Sequence, residues 1–199
     1  LVPHHAETVG SMDVLNKQTA AAGKNDDGFF RWYLNSTTMI VDWGNPTLLQ
    51  IENEQRAFEQ SNAVFVLDEA EAWAYTVIQT QLAVPHPIHL HGHDFHVLAQ
   101  GTGEFNASVP LNRANPMRRD TALLPASGYL ALAFKTDNPG AWLMHCHIGW
   151  HTSQGFALQF VERRSEIAAV VDNDALQANC DAWNNHQRDL RVVQDDSGI

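Results

Sequence analysis

The sequence predicts an all-β sandwich or barrel with a short helical tail, and three observations carry that prediction. Short runs rich in aromatic and β-branched residues recur from Phe29 onward. Turn-forming groups such as Trp43-Gly44-Asn45-Pro46 and Thr136-Asp137-Asn138-Pro139-Gly140 separate them. Beyond Phe160 and Val161 the texture changes, and Leu176, Cys180 and Trp183 fall at helical spacing.

Residues 1–28 read as a surface linker, with Gly10-Ser11, the small patch Ala20-Ala21-Ala22-Gly23 and the polar run Lys24 to Gly28. Phe29 to Leu34, Thr37 to Val41 and Thr47 to Ile51 read as the first strands. Ala63 to Leu67 and the alternating Trp73 to Thr80 continue the pattern, followed by Phe95 to Gln100. A loop from Gly101 to about Arg119 leads into strands over Asp120 to Leu124 and Gly128 to Thr136, and the turn after Thr136 delivers Ala141 to His147. Ser165 opens a helical turn, and Asn173 is placed to cap a helix from Asp174 to about Gln187. The division expected is a linker over 1–28, a β domain over 29–163 and a C-terminal extension over 164–199.

The net charge of −11, from 23 acidic and 12 basic residues, argues against a nucleic-acid partner, because a phosphate-binding surface needs clustered Lys and Arg. No apolar run approaches the roughly 20 residues of a membrane-spanning helix. The chain has two cysteines, of which Cys146 is surrounded by histidines. That leaves Cys180 without a partner here and points to a bond with a part of the protein outside this chain. Asn35-Ser36-Thr37 and Asn106-Ala107-Ser108 are N-glycosylation sequons, and with the odd cysteine they favour secretion.

Two histidine-rich stretches carry the chemistry. His145-Cys146-His147 is followed by His151 and Gly155-Phe156, and His86, His89, His91, His93 and His96 place five of the chain's eleven histidines within eleven residues. In an extended strand alternate side chains share a face, so His145 and His147 point one way and Cys146 the other. The same parity sets His89 and His91 apart from His86. One face then offers His89, His91, His145 and His147, while the other offers His86, Cys146 and His151. Imidazole and thiolate donors suit copper better than the oxygen-seeking calcium or magnesium, and two imidazoles with one thiolate are the donor set of a blue-copper site. Zinc takes the same donors, but a structural zinc site wants four convergent ligands and this parity splits them three against four. Phe156, ten residues after Cys146, stands where a weak axial ligand can fall, and phenylalanine cannot coordinate. His93 and His96 stay outside the ligand set as supporting or structural residues.

These two motifs, His86-Pro-Ile-His-Leu-His-Gly-His93 and His145-Cys-His-Ile-Gly-Trp-His151, resemble the third and fourth copper-binding motifs of the multicopper oxidases, and most closely those of fungal laccases of the ascomycete type. Asn115 to Thr121 and Asp137 to Trp142 also look like laccase sequence, and the resemblance covers roughly residues 29 to 163. It implies a cupredoxin-like Greek-key fold, the third such domain of a three-domain oxidase. It also implies a function: one-electron oxidation of phenols or aromatic amines, coupled to reduction of O2 to water.

The resemblance assigns His86, Cys146 and His151 to a type 1 copper, His89 to a type 2 copper, and His91, His145 and His147 to a type 3 pair. Phe156 occupies the non-coordinating axial position, and an exposed edge of His86 is expected to receive substrate electrons. A complete assembly then holds four coppers. Its trinuclear cluster takes eight histidines, of which four are here, so an N-terminal portion with two His-x-His motifs is the implied partner. The family pairs Cys180 by disulfide with that portion, and its processed tail, like Asp196-Ser197-Gly198-Ile199 here, plugs a solvent channel. Two other functions use parts of the same pattern: an oxidase of Fe(II) or Cu(I), and a plain cupredoxin electron carrier, which needs only His86, Cys146 and His151.

Overall fold

The structure, a computed structural model, describes residues 2–55 and 57–190. The tail expected to act as a plug lies outside the described residues. Two sheets face each other across one core. The first contains β1 (Val14–Lys24), β2 (Phe30–Leu34), β4 (Trp73–Thr80), β6 (Phe95–Thr102), β7 (Met117–Arg119) and β9 (Gly128–Lys135), in the order β2-β1-β4-β9-β6-β7. The second contains β3 (Val64–Leu67), β5 (His86–Leu90), β8 (Thr121–Leu124), β10 (Gly140–Cys146) and β11 (Ala157–Glu162), in the order β3-β11-β10-β5-β8. β1 runs parallel to β4 and β3 parallel to β11, while the other pairings are antiparallel. This is the β-sandwich that the short alternating runs predict, in the cupredoxin-like form that the resemblance implies.

Alternation fills the space between the sheets. Phe95 and Phe134 from the first sheet and Leu90, Met144 and Phe160 from the second are all buried in the same cluster. Phe134 and Phe160 meet across the interface with ring centroids 5.0 Å apart, a tilted arrangement that aromatic pairs favour.

Besides Met117–Arg119, which ends the loop expected to reach Arg119 as the short strand β7 paired with β6, three segments differ from the sequence-based expectation. Residues 14–24, read as part of a linker, form β1 in the interior of the first sheet. Their inward face carries Asn16, Gln18 and Ala20, so the alternation is hidden by polar residues that are nonetheless buried, with Gln18 Nε2 donating to Asn16 Oδ1 at 3.0 Å. Thr47–Glu52 is a helix, α1, not a strand. Pro46 precedes its first turn, Leu, Gln and Glu favour helix, and Gln50 N donates to the Pro46 carbonyl. Thr37 to Val41 joins no sheet, and apart from an isolated bridge to Leu34 its backbone hydrogen bonds go to Ser61 and Gly155.

The tail is helical as expected. A 3-10 turn spans Arg164–Ala169, and α3 runs over Asn173–Leu190. Its cap is Asp172, one residue earlier than expected: Asp172 Oδ1 accepts the Ala175 N–H at 3.0 Å, and Asn173 lies inside the helix. Cys180 is the buried residue of α3, and Trp183 approaches Trp43 at 6.3 Å. No helix among the described residues is long and apolar enough to cross a membrane.

Candidate metal centre

The site is built on two neighbouring antiparallel strands. In the β5–β10 register His145 lies opposite His89, Cys146 opposite Ile88 and Met144 opposite Leu90. β8 grips the other edge of β5, with His86 opposite Leu124 and His89 opposite Thr121. The two-residue period therefore sends His86 and Cys146 into the core and His89 and His145 to the opposite face. His151 joins the inner group from α2 (Gly149–Ser153), the single turn that follows the strand.

Inside, three donors converge. His86 Nδ1 and His151 Nδ1 are 3.1 Å apart, and Cys146 Sγ lies 3.8 Å from the first and 3.5 Å from the second. Three N and S donors in one plane around an ion, at bond lengths of about 2.0–2.3 Å, stand about 3.5–3.8 Å apart, so this triangle fits a trigonal ion with a slightly closed N–N angle. Burial and the neighbouring His151 push His86 down to a pKa of about 4, and burial pushes the Cys146 thiol up to about 11. The imidazole is thus a neutral donor, and a cation binding here must displace the thiol proton.

Hydrocarbon closes the triad. Phe156, 1% exposed, lies edge-on to His86 at 5.0 Å, and Trp32 from β2 packs on His151 at 4.2 Å, His86 at 4.9 Å and Phe156 at 5.3 Å. Trp32→Ala should open this lid and cost about 3–5 kcal/mol of stability, measured by denaturant unfolding, whereas Trp32→Phe should cost much less.

Outside, His89, His91 and His145 present donor atoms within 4.8 Å of one another. His91 Nε2 and His145 Nε2 face each other at 3.1 Å. The other ring nitrogens are occupied: His89 Nδ1 donates to the Asp120 carbonyl at 2.8 Å, and His145 Nδ1 to the Cys146 carbonyl at 2.9 Å. Those bonds leave Nε2 of each ring free as a ligand, which is how proteins orient metal-binding histidines. His147 stands beside the group, its ring 5.7 Å from those of both His89 and His145, and is exposed.

A family model described as multicopper oxidase matches residues 37–166. The chain belongs to the multicopper oxidase family. It is 45% identical to Laccase-2 of Botryotinia fuckeliana over the whole of this chain and 35% of that protein. A laccase of Neurospora crassa is 40% identical over 87% of this chain and 31% of its own length. The crystal structure of a laccase from Botrytis aclada superposes with a TM-score of 0.91 at 43% identity, over 100% of this chain and 37% of that one. Fet3p, described as a multicopper oxidase that functions in iron import, superposes with a TM-score of 0.78 at 25% identity, over 92% of this chain and 38% of its own. The chain thus spans about a third of the length of these oxidases, and membership implies copper as the cofactor.

In this multicopper oxidase chain one expected feature is corrected. His86 has no exposed edge: it is 0% exposed, enclosed by Trp32, Phe156 and the sheet. His151 is the half-buried histidine of the inner triad, and its neighbour Trp150 is 79% exposed. A strand residue facing the core has to be buried, whereas a helical turn at the rim leaves an edge accessible. The sequence reading also missed Trp32, whose one signal was its place in the aromatic run Phe29 to Leu34. It missed Thr152 as well, whose buried hydroxyl donates to the Cys146 and Ile148 carbonyls and so ties α2 to the end of β10.

His93 and His96 stand apart from the donors. Burial works against a charge on His93, but the Glu162 carboxylate and the His91 carbonyl outweigh it and hold its pKa above the ordinary value. His96, 4% exposed, lies 3.3 Å from Glu7 and edge-on to Trp73, and so pins the segment preceding β1. Cys180 is buried and free, and no disulfide joins it to Cys146. Of the two sequon asparagines, Asn35 uses both ends of its side chain to fasten β1, donating to the Lys17 carbonyl and accepting from Thr19 N, while Asn106 is exposed in a loop.

Proposed function

We propose that this chain is the C-terminal portion of a laccase, which oxidises phenols or aromatic amines one electron at a time and reduces O2 to water. The observation that carries this reading is the division of two donor triads, His86–Cys146–His151 and His89–His91–His145, between the two faces of β5 and β10, with His147 beside the second and Cys146 and His145 adjacent in the chain. On this reading His86, Cys146 and His151 hold the type 1 copper, His89 the type 2 copper, and His91, His145 and His147 the type 3 pair. Copper, when bound, supplies the one-electron chemistry that joins the two half-reactions.

The chain's own residues supply geometry. Trp32 and Phe156 exclude water from the inner triad. His151, with its accessible edge, receives the substrate, a role that the buried His86 cannot fill. The hydrogen bond from His145 Nδ1 to the Cys146 carbonyl, at 2.9 Å, gives the two faces a second connection beside the peptide bond. Four histidines are half of what the cluster takes in the resemblance above, so an N-terminal portion of the same oxidase supplies the others. It would seat on the surface where Met39, Val41, Trp43 and Leu143 surround His91, His145 and His147.

The domain then begins at β1, ahead of Phe29, and residues 164–199 form its extension. A bond from Cys180 to the missing portion, a glycan on Asn106 and secretion complete the reading.

Phe156→Met should lower the potential of a copper held by the inner triad, because a thioether beside His86 would offer a weak ligand where the phenyl ring offers none; an unchanged potential on redox titration would count against Phe156 facing that copper. The likeness to Fet3p favours a second reading as an iron oxidase. Steady-state turnover by the full-length protein separates the two: a laccase turns over a phenolic dye far faster than Fe(II), and the reverse order selects the iron oxidase.

A further inference from the structure

The turn that carries His91 is gripped from behind by a buried polar network. His93 Nδ1 donates to the His91 carbonyl at 3.0 Å, and its Nε2 stands 2.9 Å from Glu162 Oε2. Glu162, 0% exposed at the end of β11, accepts the Asn138 N–H on its other oxygen at 2.5 Å. Asn138 Nδ2 donates to the Gly92 carbonyl at 2.9 Å, and the Asn138 carbonyl accepts the Trp142 indole N–H at 2.8 Å. Two successive carbonyls of the turn are therefore held from one side. Gly92, at φ +72°, lies so close to Trp142 that a Cβ there would stand 2.6 Å from the ring. Burying a carboxylate and an imidazole costs several kcal/mol, and well-packed apolar residues often serve stability as well. What an apolar pair cannot do is hold a carbonyl in place.

We propose that His93, braced by Glu162, is a positioning residue: it fixes the backbone of His91 so that His91 Nε2 stays 3.1 Å from His145 Nε2, facing the copper cluster. The inference rests on His91 being a cluster ligand, as proposed above.

The test compares His93→Gln with His93→Asn in the full-length, copper-loaded protein. The asparagine amide nitrogen stands near the position of Nδ1 and retains a donor for the His91 carbonyl while abandoning Glu162. The glutamine amide reaches the position of Nε2, retaining Glu162 and releasing His91. Copper held by each site is read by graded chelation together with the separate absorptions of the type 1 and type 3 coppers. H93Q is expected to lose type 3 copper affinity by roughly 10–100-fold with its type 1 colour intact, as for other outer partners of metal ligands, while H93N stays close to wild type.

The opposite order, with H93N losing cluster copper and H93Q keeping it, would show that the contact with Glu162, not the one with the His91 carbonyl, holds the cluster, and would overturn the proposal. Wild-type retention in both variants, or loss of type 1 and cluster copper in step, would overturn it too. If H93Q does not fold, the apolar pair His93→Leu with Glu162→Leu removes the donor to the His91 carbonyl without leaving a lone buried charge: selective loss of cluster copper supports the clamp, and full retention overturns it. A wild-type protein with no cluster copper would instead refute the assignment of His91 itself.

Discussion

Cys146→Ser is expected to abolish the blue absorption and reduce phenol oxidation to background. On the proposed assignment the thiolate is the donor that would make the inner triangle a blue-copper site, and a serine hydroxyl at the same position is a hard, weak ligand. Nothing near it can substitute. The side chain is 0% exposed, and the groups around it are His86, His151 and hydrocarbon. Serine is smaller and polar in that setting, yet the β10 backbone it sits on is held by β5 and β11, so the fold should survive. Absorption spectroscopy and copper analysis of the full-length protein check this together: one copper lost, the cluster coppers kept and the colour gone. Retention of the intense blue band would reject Cys146 as the ligand.

His145→Ala should have the complementary outcome. Its ring belongs to the outer face, where its Nε2 meets that of His91 at 3.1 Å, and it makes no part of the inner triangle. The variant should keep its blue colour and accept an electron from a phenol, after which the colour should bleach and fail to return under O2. Steady-state O2 consumption should fall to background. Stopped-flow mixing with a phenol and then with O2 separates the two half-reactions, and recovery of the colour at the wild-type rate would remove His145 from the oxygen-reducing face.

The two-face arrangement was legible in the sequence because it follows from the two-residue period of a strand, which needs no tertiary information. His145 opposite His89, with Cys146 facing inward beside His86, is that period observed. Exposure was not legible in the same way. His86 and His151 are equivalent as donor types, and their supports decide which ring keeps an accessible edge: His86 faces the core from β5 with Phe156 edge-on to it, while His151 stands on the rim turn α2.

The missed strand has a similar cause. β1 carries Asn16, Lys17, Gln18 and three alanines, poor strand formers that are recruited because β2 and β4 flank them, with the small Ala22 opposite Trp32. α1 was misread because Leu48-Leu49-Gln50-Ile51 is short and apolar, and a run of that length does not distinguish a strand from a helical turn. Glu162 and Asn138, distant from His93 in sequence, could be connected to it only in three dimensions.

The central claim is that one pair of strands holds a complete copper site on its inner face and half of a copper cluster on its outer face. Anomalous scattering collected at the copper edge from crystals of the full-length protein tests it most directly. The account predicts one peak centred between His86 Nδ1, Cys146 Sγ and His151 Nδ1, and a separate group of peaks against His89, His91, His145 and His147. No peak within the cysteine triangle, or a signal there at the zinc edge instead, would contradict it.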